Sequence, residues 1–125
     1  MTDYGFKKII AWQRAHAFVL AVYKAGESFP EYEKRGLWSQ FTRAAVSIAA
    51  NIAEGYKKLS KADKLRFINI SQGSLEECRY YIILAHDLQY ISDKIEQELN
   101  YKLEGASWCL NAYAQAIVND AGIKD

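Results

Sequence analysis

With 125 residues, half of them apolar, and a formal net charge of +1, the chain has the size and composition of one globular domain, 1–125, with a modest core. The near-zero charge excludes a whole-molecule field that would draw nucleic acid or a membrane surface. One proline and no low-complexity segment argue against extended disorder. Charge is unevenly spread: residues 1–66 carry 12 basic and 6 acidic groups, and residues 67–125 carry 4 and 9. Such asymmetry marks either an anionic partner or two faces of opposite sign that meet.

The first helix is expected over about residues 6–27. Ile9, Trp12, His16, Val19 and Tyr23 recur at spacings of three and four, the seam of a bundle helix. Pro30 then restricts Phe29 to extended geometry, and Gly36 permits a turn. A second helix follows over about 37–54, with Gly55 placed for a left-handed C-terminal cap. Between Leu37 and Ala53 it has a single charged residue, Arg43. A helix apolar nearly all round is buried nearly all round, which predicts a second interface against another copy of the chain.

The third helix is expected over about 60–88, capped by Ser60 with Asp63 three residues on. Its main stripe reads Phe67, Ile70, Cys78, Tyr81, Ile82, Ala85 and Leu88, with Tyr80, Ile83 and Leu84 off it. Gly73 suggests a close approach of helices. After the short connection "QYIS", Ser92 caps a fourth helix over about 93–118. Its stripe is Ile95, Leu99, Leu103, Ala106, Leu110, Tyr113 and Ile117, with Tyr101 and Trp108 opposite. Gly105 within it marks a close backbone approach or a tolerated cost. Four long helices with short loops predict an all-α, antiparallel up-down-up-down four-helix bundle.

Polar residues suggest two clusters. Arg43, Ser47, Asn51 and Glu54 share one face of the second helix, level with the third, where Glu76 or Glu77 would pair with Arg43. These groups are expected to satisfy each other and fix the register, with a ligand site as the less favoured alternative. "KKLSKADKLR" holds Lys57, Lys58, Lys61, Lys64 and Arg66 against one acid, and Lys7, Lys8 and Arg14 would extend it. Cations and free N–H groups at a helix start would hold a phosphate. A solvated basic turn is the plainer reading. No aromatic alternates with the lysines, so base stacking on a single strand is not indicated.

Enzyme chemistry finds little support. His16 and His86 stand apart and read as hydrogen-bonded core residues. Asp87 next to His86 points elsewhere around the helix. Cys78 and Cys109 lack metal spacing, no ExxH pair occurs, and no Gly-rich loop cradles a phosphate. No catalytic residue, metal or cofactor is predicted. Two thiols, no apolar leader in "MTDYGFKK" and no run near ~18 apolar residues predict a cytoplasmic protein without a membrane span.

Residues 6–91 resemble the small four-helix-bundle family encoded by intervening sequences in bacterial 23S ribosomal RNA genes. The matching parts are Trp12, Ala15 and His16; Phe29-Pro30; Gly36-Leu37; Gln40; "RAAVSIAANIAEG" over 43–55; and Gly73-Ser74-Leu75 with Glu77. Ala49 stands where that family often has proline and Thr42 where it often has arginine, which favours a straighter helix and removes a cation. The resemblance implies a left-handed bundle assembling as a ring, commonly a pentamer. It also implies similarity to the accessory variability determinant of diversity-generating retroelements, which binds nucleic acid and a reverse transcriptase. The partners expected are therefore the chain itself, RNA or DNA, and a partner protein. A protein-interaction scaffold that binds no nucleic acid is the alternative.

Overall fold

The computed structural model describes residues 5–125. Among these residues are four long helices and no strand: α1 (Ile10–Ala25), α2 (Leu37–Tyr56), α3 (Lys61–Asp87) and α4 (Asp93–Asn119), with short 3-10 turns at Gly5–Lys8, Gly26–Ser28 and Glu31–Glu33. Each helix packs on two others in cyclic order: α1 on α2, α2 on α3, α3 on α4 and α4 on α1. The enclosed core holds Phe18, Phe41, Ile48, Ile52, Ile68, Ile82, Leu99, Leu103 and Leu110, all fully buried. Each contributes roughly 1.5–3 kcal/mol by leaving water.

The first element is broken where one continuous helix was expected. Gly5–Lys8 and Gly26–Ser28 are 3-10 turns on either side of α1. A Cβ at Gly26 would overlap the indole of Trp38. The Lys34 ammonium donates to the Gly26 carbonyl and lies 5.3 Å from the Trp38 ring centroid, so a cation closes the negative end of this helix. Phe29 follows in extended geometry (φ −76°, ψ 143°) ahead of Pro30.

The seam of α1 is also shifted from the expected one. It consists of Ala11, Ala15, Phe18, Val19, Val22 and Ala25. The larger residues flank it: Trp12 stacks on His16 with centroids 5.0 Å apart, and Tyr23 meets Trp38 edge-on at 5.7 Å. His16 is exposed, not a core residue. Alanines let the neighbouring helices close in, while bulky rings cover the margins.

In α2, Glu33 accepts from the backbone N–H of Leu37 at 3.1 Å and serves as the starting cap. The helix runs past Glu54 to Tyr56, so Gly55 lies inside it, buried, instead of forming a left-handed cap. A Cβ there would stand 3.0 Å from Phe67 Cβ. Gly55 is thus the point of close approach to α3, whereas at Gly73 a Cβ would meet nothing within 4 Å. At Gly105 it would meet only Arg14, at an ordinary 3.5 Å.

The α2–α3 contacts pair rising numbers with falling ones. Tyr81 donates to Gln40 (3.3 Å), Ser74 to Ser47 (2.8 Å) and Ser71 to the Ile48 carbonyl (2.9 Å). Residues 37–53 are covered over much of their circumference by the chain itself, leaving Gln40, Arg43, Val46 and Ala50 exposed.

Ser60 and Ser92 cap α3 and α4 by accepting from Asp63 N (3.1 Å) and Ile95 N (3.2 Å). In the first half of α3 the buried residues are Ile68, Ser71 and Leu75, with Ile70 exposed in place of the stripe read from the sequence. Cys78, Tyr81, Ile82 and Ala85 continue the core, and Leu88 is exposed. In α4, Leu99, Leu103, Ala106, Leu110 and Ile117 are buried, with Ile95 and Tyr113 packed beside them. Tyr101 and Trp108 remain 79% and 75% exposed, and Tyr80 and Ile83 about half exposed. Among the described residues no helix is long and apolar enough to cross a membrane.

Candidate nucleic-acid interface

The basic residues collect at one end of the bundle because several helix termini meet there. Lys64 of α3 donates to the Tyr56 carbonyl in the last turn of α2 at 2.8 Å, with its ammonium 5.7 Å from the Tyr56 ring centroid. Lys61 donates to the Val118 carbonyl near the end of α4 at 3.0 Å and reaches Asp125 at 4.0 Å. Cations at the start of α3 oppose the dipole of their own helix. The contacts remove that oddity, since the same cations neutralise the carbonyl ends of α2 and α4.

The remaining cations are more outward. Lys58 lies 5.0 Å from the Phe67 ring centroid on one side, and Arg66 lies 5.1 Å from it and 3.7 Å from Asp63. Lys57 is exposed just past α2. Lys7 and Lys8 are exposed on the 3-10 turn whose Gly5 lies against the Tyr56 ring at the last residue of α2, which brings them to the same end. Arg14 sits apart, beside Gly105 of α4. The end therefore presents cations from three stretches of chain, some already engaged with carbonyls and rings.

The polar line of α2 resolves differently from the expected network. Asn51 donates to the Ser47 carbonyl (2.8 Å) and hydroxyl (3.0 Å), and Ser47 in turn accepts from Ser74. Arg43 pairs with neither Glu76 nor Glu77. Glu76 is held by Arg79 at 3.2 Å, and Arg79 also bonds Glu104 of α4. Glu77 accepts from the Tyr81 hydroxyl at 2.7 Å, which, helped by burial, pushes the Tyr81 phenol up to about 12. Arg43 and Glu77 border one shallow depression with Ser47 and Ser74. Glu54 is exposed at the end of the line.

One constellation was missed from the sequence. His86, in the last turn of α3, has Nε2 2.7 Å from Asp93 and Nδ1 3.3 Å from Glu96, both on the first turn of α4. The hydrogen bond to Asp93, with smaller help from the Glu96 charge, raises the imidazole above its ordinary value, partly opposed by desolvation. The available signal was H-x6-D-x2-E across a short connection, which brings the residues together only if that connection is a tight turn. Both cysteines are free thiols; burial, then the Glu77 charge, pushes Cys78 well up and makes it unreactive.

A four-helix bundle with a lysine-lined end and no assembled nucleophile–base pair among its described side-chain contacts is thus the class of protein in hand. The chain belongs to the 23S rRNA-intervening sequence protein family, which matches residues 7–112. Its fold is similar to the crystal structure of a protein with unknown function from the S23 ribosomal protein family of Bacteroides thetaiotaomicron VPI-5482. That similarity has a TM-score of 0.77 at 21% identity, covering 84% of this chain and 98% of the other. No curated protein matches the chain.

Proposed function

We propose that the chain is a non-enzymatic bundle protein of the bacterial cytoplasm whose lysine-lined end binds structured RNA. In this reading its helices alternate up-down-up-down, the bundle is left-handed, and copies assemble as a ring, commonly a pentamer. The observation that carries the reading is the convergence of Lys7, Lys8, Lys57, Lys58 and Arg66 on one end of the molecule. A ring would repeat that end around its axis and multiply weak phosphate contacts. Membership of a family encoded within ribosomal RNA genes supports RNA over other polyanions.

Gel retardation of a structured RNA at low salt tests the reading. Binding should weaken steeply as salt rises, and Lys57→Glu with Lys58→Glu should abolish it. Retention of the shift by that double variant, or no shift with any RNA or DNA, would overturn it.

A second reading, a homo-oligomeric scaffold that docks a partner protein, is favoured by the exposed aromatics Tyr80, Tyr101 and Trp108. Recovery of a protein partner after nuclease treatment would select it. Sedimentation at micromolar concentration tests the assembly itself, and a monomer there would refute it.

A further inference from the structure

We propose that His86, Asp93 and Glu96 form a surface site for one divalent transition-metal ion of the zinc type. Each residue offers one ligand atom, and these atoms all lie within 4.8 Å of one another. Bonds of about 2.0–2.2 Å from zinc to nitrogen and carboxylate oxygen place ligand atoms roughly 3–3.6 Å apart, so a small closure suffices. The set supplies three protein ligands and leaves the fourth position of a tetrahedral ion to water.

Three observations make this more than a chance surface cluster. The ligands come from two helices joined by a connection with little slack. Ser92 caps α4, Tyr90 N donates to the Ala85 carbonyl at 2.8 Å and Gln89 N to the His86 carbonyl at 2.9 Å. Gln89 itself turns through a left-handed φ of 63°. The local charge is also unbalanced: Asp93 and Glu96 both contact one imidazole, and no Lys or Arg forms an ion pair with either of them among the described contacts. Finally, the side chains of His86 and Glu96 are only 31% and 28% exposed, which limits their freedom, while Asp93 opens to solvent at 87% and gives an ion access.

The donor set also selects the metal. An imidazole with two carboxylates suits zinc, nickel or copper, whereas magnesium and calcium need six or more oxygens. The positive dipole end of α4 opposes a cation here while the negative end of α3, which carries His86, favours one, so the two helix dipoles largely offset each other.

Because the ligands bridge α3 and α4, binding should stabilise the fold as well as register directly. Titration calorimetry of the whole chain with zinc chloride at pH 8 should give one ion per chain. At a hundredfold excess over Kd, about 2.7 kcal/mol of stabilisation, Tm should rise by about 10 °C. His86→Gln, Asp93→Asn and Glu96→Gln should each weaken binding about tenfold or more and so cut the rise in Tm by about half or more at the same zinc concentration. His16→Gln and Cys109→Ser should leave both unchanged. Each variant is checked by circular dichroism without metal, so that a folding defect is not read as a lost ligand. No binding to the wild type, binding that survives His86→Gln, or unchanged affinity in either carboxylate variant would overturn the assignment.

Discussion

Two glycine-to-alanine substitutions, one in each of the paired helices α2 and α3, should act in opposite directions. Alanine is favoured over an interior helical glycine by about 0.8–1 kcal/mol. At Gly73 a Cβ meets nothing within 4 Å, so Gly73→Ala should realise that gain in full. For 125 residues the unfolding entropy is about 0.26 kcal/mol/K, so 1 kcal/mol moves Tm by roughly 4 °C upward. At Gly55 the Cβ would stand 3.0 Å from Phe67 Cβ and 3.4 Å from the Lys64 carbonyl oxygen. The carbonyl approach is close to ordinary contact, but Phe67 Cβ is not the free end of a flexible side chain, so α2 and α3 must give way by a few tenths of an ångström, at an overpacking cost of about 1–3 kcal/mol. After the propensity gain, Gly55→Ala should lose up to about 2 kcal/mol, or roughly 8 °C. Thermal unfolding followed by circular dichroism, at dilute and concentrated protein, reads both. A lower Tm for Gly73→Ala in dilute protein would refute the reasoning. A loss that appears only on concentration would place Gly73 inside a contact between copies.

Other substitutions probe the core, the caps and the buried phenol. Leu103→Ala removes a fully buried side chain and should cost about 2–5 kcal/mol in urea unfolding, while Leu59→Ala, at a position 90% exposed, should stay within about 0.5. Ser60→Ala and Ser92→Ala should each cost about 1 kcal/mol, and their effects should add, since the two caps serve different helices. Tyr81, raised to about 12, favours the neutral phenol in the fold. Its contribution is therefore complete below the unfolded value of about 10 and is lost as pH rises through about 12. Glu77→Gln should bring its ultraviolet phenolate titration to lower pH, and an unchanged titration would contradict the assigned cause.

The legible parts of this fold are those where large apolar side chains themselves form the seam. The fourth helix is the best case, because Leu99, Leu103 and Leu110 are both the periodic residues and the buried ones. The first helix failed on the same logic. Half of its seam is alanine (Ala11, Ala15 and Ala25), and periodicity judged by bulk selected Trp12, His16 and Tyr23, which cover the margins. The first half of α3 failed because its buried line includes Ser71, a polar residue satisfied by the Ile48 carbonyl of another helix. The two serine caps were legible because capping is local. The His86 cluster was not, since H-x6-D-x2-E acquires meaning only from the turn at Gln89.

The lysine-rich segment illustrates how a correct sequence feature can acquire a second meaning. In one dimension, five cations in ten residues invite a phosphate, and all of them look interchangeable. In three dimensions they divide. Lys61 and Lys64 each donate to a carbonyl at the end of a neighbouring helix, where a positive charge and a hydrogen bond both stabilise the fold. Replacing either with glutamate would set an anion against the negative end of a helix dipole and strip a carbonyl of its partner, so lost RNA binding would be inseparable from lost structure. Lys57 carries no such contact, and Lys58 touches only a ring face. These two positions alone separate the electrostatics of binding from the electrostatics of folding. A retardation assay on their double variant therefore decides whether the end of the bundle is an interface or a charged cap.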